Sequence, residues 1–331
     1  MIESGVSEEL AKLREQQLSN IKYDLSFYIP DSLNESVQGD ILIRFDYKKI
    51  EKHPLILDFR NTKESVYKVK LNERKINYMF SNEHIIIDNS KLNEGENTIE
   101  IEFESSDRAL NRNKEYLYTL FVPDRACTAF PCFDQPSLKA RFKPEISIPK
   151  QWIAVSNSNI ADTISDSSHN IYVFAETEPI STYLFSFVAG KFDVAKKKYP
   201  EREIAMYYRE SDTLKVFRNL DKIFELQYSS LKWLENYTQI KYPFSKLDFI
   251  VIPSFQYSGM EHPGAILYRD SKLFLDETAG IRDELNRANL IAHETAHMWF
   301  GDLVTMEWFS EVWLKEVFAN FIADKIVNPQ Y

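Results

Sequence analysis

Alternating apolar and polar positions run through the chain from about residue 20 to residue 190. Apolar side chains occupy every second position in residues 41–47 and again in residues 99–103. A period of two is typical of strands that bury one face. The apolar runs 85–87, 171–174 and 183–188 extend this pattern, and Asn, Asp and Gly in residues 88–96 separate two of the strands. The pattern predicts an antiparallel β domain.

A helical period follows this β region. Apolar residues recur at intervals of three and four from Leu214 to Leu234, which predicts an amphipathic helix with a buried stripe. Residues 247–252 and 264–268 are predicted to be buried strands. The charged, proline-ended stretch 196–200 interrupts the two patterns. We therefore predict a β domain in residues 1–195 and an α+β domain in residues 196–331.

Composition narrows the class of protein. The chain has 331 residues, of which 44% are hydrophobic and 27% charged, as expected for about two globular domains. A formal net charge of −10 argues against nucleic acid as a partner. The apolar runs are shorter than a membrane span, so no transmembrane segment is predicted. The first residues lack a signal-peptide pattern, which leaves the cytoplasm, or the cell envelope or periplasm if such a peptide was removed.

The most informative residues are His293, Glu294 and His297, in the sequence HETAH. Two residues four apart on a helix project from one face, so both imidazoles can bind one metal ion. Asp283 and Glu284 supply an acidic first turn for this helix, and Gly301 is predicted to end it. The alternative is a buried helix whose histidines are satisfied by protein partners.

A third ligand is available in the next predicted helix, residues 311–321. Glu316 lies nineteen residues beyond His297, and the segment between them is long enough to reverse direction. Two histidines and one glutamate are a catalytic zinc ligand set that leaves one position for water. We therefore predict one Zn²⁺ ion on His293, His297 and Glu316, with Glu294 as the general base.

These motifs resemble those of the zinc aminopeptidases of the aminopeptidase N type, which are related to leukotriene hydrolase and are gluzincins. The family pattern is HExxH, eighteen residues and then Glu, and the spacing here matches. The similarity also covers residues 129–136 and 258–262. The resemblance implies a β-rich N-terminal domain followed by a thermolysin-like α+β domain. It further implies a metalloprotease that hydrolyses peptides one N-terminal amino acid at a time.

The resemblance also assigns a substrate-binding segment. The family motif GxMEN aligns with residues 258–262, which makes Gly259, Met260 and Glu261 the expected substrate-binding residues. Glu261 would bind the free α-amine of the peptide, and Gly259 would let the substrate backbone approach closely. The alternative for residues 258–264 is an ordinary turn rich in Gly and Pro.

Several positions depart from the family pattern. Ser258 and His262 replace the glycine and asparagine of the substrate motif, while Lys315 and Val317 replace the asparagine and glycine that flank the glutamate ligand. Val122 stands where many relatives carry a second amine-binding Glu or Gln. These departures keep a non-catalytic binding protein open as an alternative, and a zinc endopeptidase would share the same metal site.

The resemblance places an oxyanion-binding tyrosine well downstream of the glutamate ligand, and Tyr331 is too close in sequence to fill that role. The chain is therefore expected to be an N-terminal fragment with a truncated catalytic domain. We expect such a fragment to be poorly active or inactive. Cys127 and Cys132 are expected to be buried thiols without a disulfide framework.

Overall fold

The computed structural model describes residues 3–51 and 53–329. The chain divides into two compact units, Met1–Gly190 and Lys191–Tyr331. This division lies a few residues before the predicted boundary between residues 195 and 196. The reason is that the charged segment is not a break: Asp193–Lys198 forms a strand that pairs with Glu203–Tyr208 in the second unit.

The first unit is built mainly of strands. Its elements are α1 (Glu8–Gln17), β1 (Leu18–Tyr28), β2 (Gln38–Tyr47), β3 (Leu55–Asp58), β4 (Val66–Leu71), β5 (Arg74–Lys75), β6 (Met79–Ser81), β7 (His84–Ile87), β8 (Gly95–Glu104), β9 (Leu110–Arg112), β10 (Tyr116–Thr119), β11 (Arg141–Pro149), β12 (Ile153–Ser156), β13 (Ile160–Ser165), β14 (His169–Phe174) and β15 (Phe187–Gly190). Their sheets have the strand orders β13-β14-β11-β1-β2-β8-β4-β5, β12-β15-β10-β9 and β3-β7-β6. The predicted β-rich domain is confirmed.

The alternation in the sequence corresponds to alternating burial. In β2, Ile41, Ile43, Phe45 and Tyr47 are buried and the residues between them are more exposed. Two features differ from the prediction. Strands β1 and β11 run parallel within an otherwise antiparallel arrangement of described strands, and Thr182–Leu184 forms a 3₁₀ turn instead of a strand.

A buried polar cluster holds the motif of residues 129–136 in place. Arg14 donates to both carboxylate oxygens of Asp58, at 2.8 and 2.6 Å. The Asp134 N–H donates to Asp58 at 2.8 Å. The Asp134 carboxylate accepts from the Cys127 N–H at 2.9 Å and from the Thr182 hydroxyl at 2.7 Å. Because these groups come from distant segments, the cluster connects the motif to α1 and β3.

The buried Asp134 carboxyl should make the free energy of unfolding depend on pH. Burial raises its pKa from 3.8 to about 6, although its hydrogen bonds act in the opposite direction. The folded state thus favours the neutral acid. The stability that Asp134 contributes is fully present below about pH 4 and is lost as the pH rises through about 6. An asparagine at this position has the same shape without the charge: its carbonyl oxygen can accept from the Cys127 N–H, and its NH2 group can donate to the Thr182 hydroxyl oxygen. We expect Asp134→Asn to gain about 3 kcal/mol relative to the wild type between pH 4 and 7.

Urea unfolding of both proteins across this pH range measures the effect. Asp162→Asn, at an exposed position of β13, is the matched control and should show no such trend. A free-energy difference between Asp134→Asn and the wild type that does not change with pH would contradict the assignment.

The second unit combines a sheet with helices. Its elements are β16 (Asp193–Lys198), β17 (Glu203–Tyr208), α2 (Thr213–Thr238), β18 (Asp248–Ile252), β19 (Gly259–Met260), β20 (Ala265–Arg269), α3 (Asp270–Leu273), α4 (Ile281–His297) and α5 (Val312–Val327). The sheet order is β16-β17-β18-β20-β19, with β17, β18 and β20 parallel to one another. The predicted α+β character is confirmed.

Helix α2 is the predicted amphipathic helix. Asp212 caps its start by accepting from the Lys215 N–H, and Phe224, Leu231 and Leu234 lie in the core. The first part of the predicted stripe differs, since Leu214 and Phe217 are exposed. Among the described residues, no helix combines the length and apolar character needed to cross a membrane.

Candidate metal centre

Helix α4 carries the HETAH sequence on a buried framework. Ala288, Ile291 and Ala292 recur at helical spacing and lie in the core of the second unit. Within the motif, Thr295 faces inward and its hydroxyl accepts from the Gln227 side chain of α2 at 2.8 Å. This bond and the apolar packing fix the rotation of α4 about its axis. The opposite face therefore presents His293 and His297.

A compact turn returns the chain from α4 to α5. The helix ends at His297, earlier than predicted, and Gly301 lies in the turn that follows, with a φ of 143°. The N–H groups of Asp302 and Leu303 donate to the carbonyls of His297 and Met298 at 3.0 and 3.2 Å. The turn is thus tied to the end of α4. Glu316 lies in α5 and returns to the histidines.

The three predicted metal ligands converge. The Nε2 atoms of His293 and His297 lie 3.0 Å apart, and Glu316 Oε2 lies 3.4 Å from the first and 3.6 Å from the second. Ligand atoms about 2.0–2.1 Å from a tetrahedral zinc ion lie roughly 3.3 Å from one another. The donor set therefore fits an ion of this size and geometry.

The imidazole of His297 is oriented for this role. Its Nδ1 lies 3.0 Å from the Phe300 carbonyl oxygen. Because a carbonyl can only accept, Nδ1 carries a proton, and Nε2 faces His293 and Glu316. Such outer hydrogen bonds typically orient metal-binding histidines. The side chain is also 1% exposed, which keeps the ring from rotating away.

Charges within the centre support one another. Burial would raise the pKa of Glu316, but its hydrogen bonds to His293 and His297 hold this pKa well below the usual range. Burial would lower the pKa of His293, whereas its contact with Glu316 raises it. The centre thus favours an ionised carboxylate beside a histidine that holds its proton, and a bound metal ion would displace that proton.

Glu294 lies next to this group, as predicted for a general base. Oxygen and nitrogen atoms of Glu261, Glu294 and His297 lie within 4.8 Å of one another. A Cβ built on Gly259 would overlap the Glu294 carboxylate, so the absence of a side chain there makes room for it. Burial, together with the nearby Glu261 carboxylate, raises the pKa of Glu294 to about 8. A divalent cation beside the Glu294 carboxyl would lower this pKa.

The predicted substrate segment lies at an edge of the sheet. Gly259 and Met260 form β19, the last strand in the sheet order, and pair with Tyr268 and Leu267 of β20. An edge strand of this kind can add an extended peptide by backbone hydrogen bonding. Glu261 follows directly and is 4% exposed.

The sequence did not predict the partner of Glu261. Lys315 donates to Glu261 Oε1, and its Nζ also lies 3.0 Å from Glu316 Oε1. Burial would raise the pKa of Glu261, but Lys315 and His297 lower it to about 2. The departure of Lys315 from the family pattern is the one signal of this contact in the sequence. Its contact depends on how α5 returns to β19, which no local pattern encodes.

Two family profiles match the chain. The Peptidase M1 N-terminal domain matches residues 19–184, and the Peptidase family M1 domain matches residues 223–331. Together they cover both units and include each residue of the candidate metal centre.

Individual relatives agree with these profiles. The chain is 33% identical over 310 residues to the Probable aminopeptidase 2 of Sulfurisphaera tokodaii, which covers 88% of this chain and 39% of the relative. It is 30% identical over 298 residues to the Leucyl aminopeptidase of Saccharolobus solfataricus, a match that covers 86% of this chain and 37% of the relative. It is 38% identical over 221 residues to the human Endoplasmic reticulum aminopeptidase 2, a match that covers 64% of this chain and 22% of the relative. The chain thus spans about two fifths or less of each of these relatives.

Proposed function

Because the chain belongs to peptidase family M1, we propose that the whole protein is a zinc aminopeptidase that releases N-terminal amino acids from peptides. The observation that carries the proposal is the convergence of His293, His297 and Glu316, whose ligand atoms lie within 4.8 Å of one another. Glu294 would act as the general base, and its carboxylate lies within 4.8 Å of a His297 nitrogen. The names of the aminopeptidase relatives support the substrate class.

One zinc ion would be held by His293, His297 and Glu316. When bound, zinc acidifies water and polarises a carbonyl group. Glu294 would take a proton from the attacking water at its carboxylate and pass it to the leaving amine. Its burial keeps competing bulk water away from this proton transfer.

The remaining residues would place the peptide. The edge of β19, at Gly259 and Met260, would pair with the substrate backbone, and Glu261 would bind the α-ammonium group. An ammonium about 4 Å from a carboxylate gains roughly 1–4 kcal/mol in partly solvated surroundings, which favours a free N-terminus. An internal peptide bond offers no such cation.

A peptide digest tests this proposal. The whole protein is incubated with unmodified peptides and with a panel of aminoacyl reporters, with and without a zinc chelator, and products are identified by mass spectrometry. We expect single amino acids released in order from the N-terminus, and loss of this release on chelation. Internal fragments would instead indicate a zinc endopeptidase. Release that persists without metal would contradict the proposed centre.

The low activity expected of these 331 residues alone stays a prediction. The same reporter panel measures it, with the whole protein assayed in parallel. Equal rates would contradict it.

Gly259 provides a further prediction. A methyl group at this position would overlap the Glu294 carboxylate and displace it. Because displacement of a catalytic group by about 1 Å costs roughly a hundredfold in rate, we expect Gly259→Ala to lower kcat/KM by about that factor. Gly280→Ala is the matched control, since a Cβ there meets no atom within 4 Å. Zinc content should be unchanged in both. Wild-type turnover by Gly259→Ala would contradict the assigned place of Glu294.

A further inference from the structure

Lys315 forms a buried ion pair inside the candidate site. Its ammonium donates to Glu261 and lies 3.0 Å from Glu316 Oε1. The Lys315 side chain is 8% exposed and that of Glu261 is 5% exposed. Separating a buried pair of this kind is unfavourable, because each charge is left with neither its partner nor water.

The position of the ammonium is set by the fold. Lys315 directly precedes the ligand Glu316 near the start of α5. Its aliphatic stem passes over the turn after α4, where a Cβ on Gly301 would lie 3.5 Å from Lys315 Cδ. The stem therefore packs against the turn, and the charged end points toward the metal ligands and Glu261.

This lysine changes the charge of the site. Three carboxylates lie in this site: Glu316 belongs to the predicted ligand set, and Glu261 and Glu294 each have an oxygen atom within 4.8 Å of a His297 nitrogen. With a divalent ion and the Lys315 ammonium, their formal charges cancel. A neutral residue at position 315 would leave a net negative charge to attract a substrate's α-ammonium.

We propose that Lys315 is a specificity-determining residue: it is a built-in cation that competes with the substrate's α-ammonium for Glu261 and weakens the preference for a free N-terminus. The inference rests on the proposed function, in which Glu261 binds that amine. An incoming α-ammonium must displace Lys315 or share its carboxylate at close range. Like charges at such distances repel strongly enough to lower affinity by about tenfold or more.

Binding of a matched pair of compounds tests the role of Lys315. Leucine hydroxamic acid and N-acetyl-leucine hydroxamic acid share a zinc-binding group and differ in the charged amine. Their affinities for the zinc-loaded 331-residue chain are measured by calorimetry near pH 6.5, where the amine is largely protonated. The quantity of interest is the ratio of the two affinities, which does not require turnover.

Four variants of the chain sharpen the measurement. Lys315→Gln removes the charge but keeps a hydrogen-bond donor of similar reach, and Lys315→Asn is a second neutral variant. Lys315→Arg keeps the charge. Lys325→Gln, at an exposed position of the same helix, is the matched control. Zinc content and thermal unfolding show that each variant is folded and loaded.

The wild type, Lys315→Arg and Lys325→Gln should prefer the free amine by the same modest ratio. Lys315→Gln and Lys315→Asn should raise that ratio by about tenfold or more. A ratio in folded Lys315→Gln equal to that of the wild type would overturn the role of Lys315 and leave the metal centre intact. If neither hydroxamate binds to the wild type, the proposed metal centre fails, and the inference fails with it.

Discussion

Replacing Glu294 with glutamine is expected to lower kcat/KM for aminoacyl reporters by roughly a hundredfold to ten-thousandfold. Glutamine has nearly the same shape but cannot accept a proton at the working pH. Glu294 is 4% exposed and lies among Glu261 and His297, so bulk water cannot easily replace it as a base. The measurement is steady-state turnover by the whole protein with matched zinc loading.

A control separates this chemistry from general damage to α4. Glu284→Gln changes an exposed glutamate in the first turn of the same helix and should leave turnover within about twofold. Zinc affinity of Glu294→Gln should remain within a few-fold of the wild type, because Glu294 is not among the predicted ligands. Turnover by Glu294→Gln within tenfold of the wild type would remove Glu294 from the proposed proton transfer.

Replacing His297 with alanine is the second large effect. We expect zinc affinity to fall by more than a hundredfold, because loss of even an outer hydrogen-bonding partner of a metal ligand commonly costs ten- to a hundredfold. His297 is buried and its Nδ1 is hydrogen-bonded to the Phe300 carbonyl, so another side chain cannot easily take the place of its ring. Competition with a chromophoric chelator measures the affinity of the 331-residue chain.

The histidine prediction also has controls. His53→Ala removes a histidine of the other unit and should leave zinc affinity unchanged. His293→Ala removes the second imidazole, which is less buried than that of His297, and should lower zinc affinity by a comparable factor. It serves as the test if His297→Ala folds poorly. Retention of wild-type affinity by both ligand variants would show that zinc binds elsewhere or not at all.

Much of this arrangement could be predicted because its signals are local. The alternation in β2 and the helical spacing in α4 each reflect burial of one face, and both are present in a few consecutive residues. The placement of Glu316 also followed from spacing, since the segment between the two helices is long enough to reverse direction and bring their facing residues together.

Other features depend on contacts between distant segments. The parallel pairing of β1 with β11 joins residues more than a hundred positions apart, and no turn motif in the sequence predicts it. Residues 193–198 carry the charges typical of a loop, yet they pair as an edge strand whose outer side faces solvent. Lys315 reaches Glu261 through a long flexible stem, so its partner is fixed only once α5 and β19 are in place.

The central claim is that one zinc ion binds to His293, His297 and Glu316. X-ray absorption at the zinc edge, on the zinc-loaded and desalted chain, tests it most directly. The account predicts one zinc per chain, bound by nitrogen and oxygen atoms at about 2.0–2.2 Å, with the scattering of two imidazoles. A chain that loses its zinc on desalting, or a zinc ion with sulfur ligands at about 2.3 Å, would contradict it.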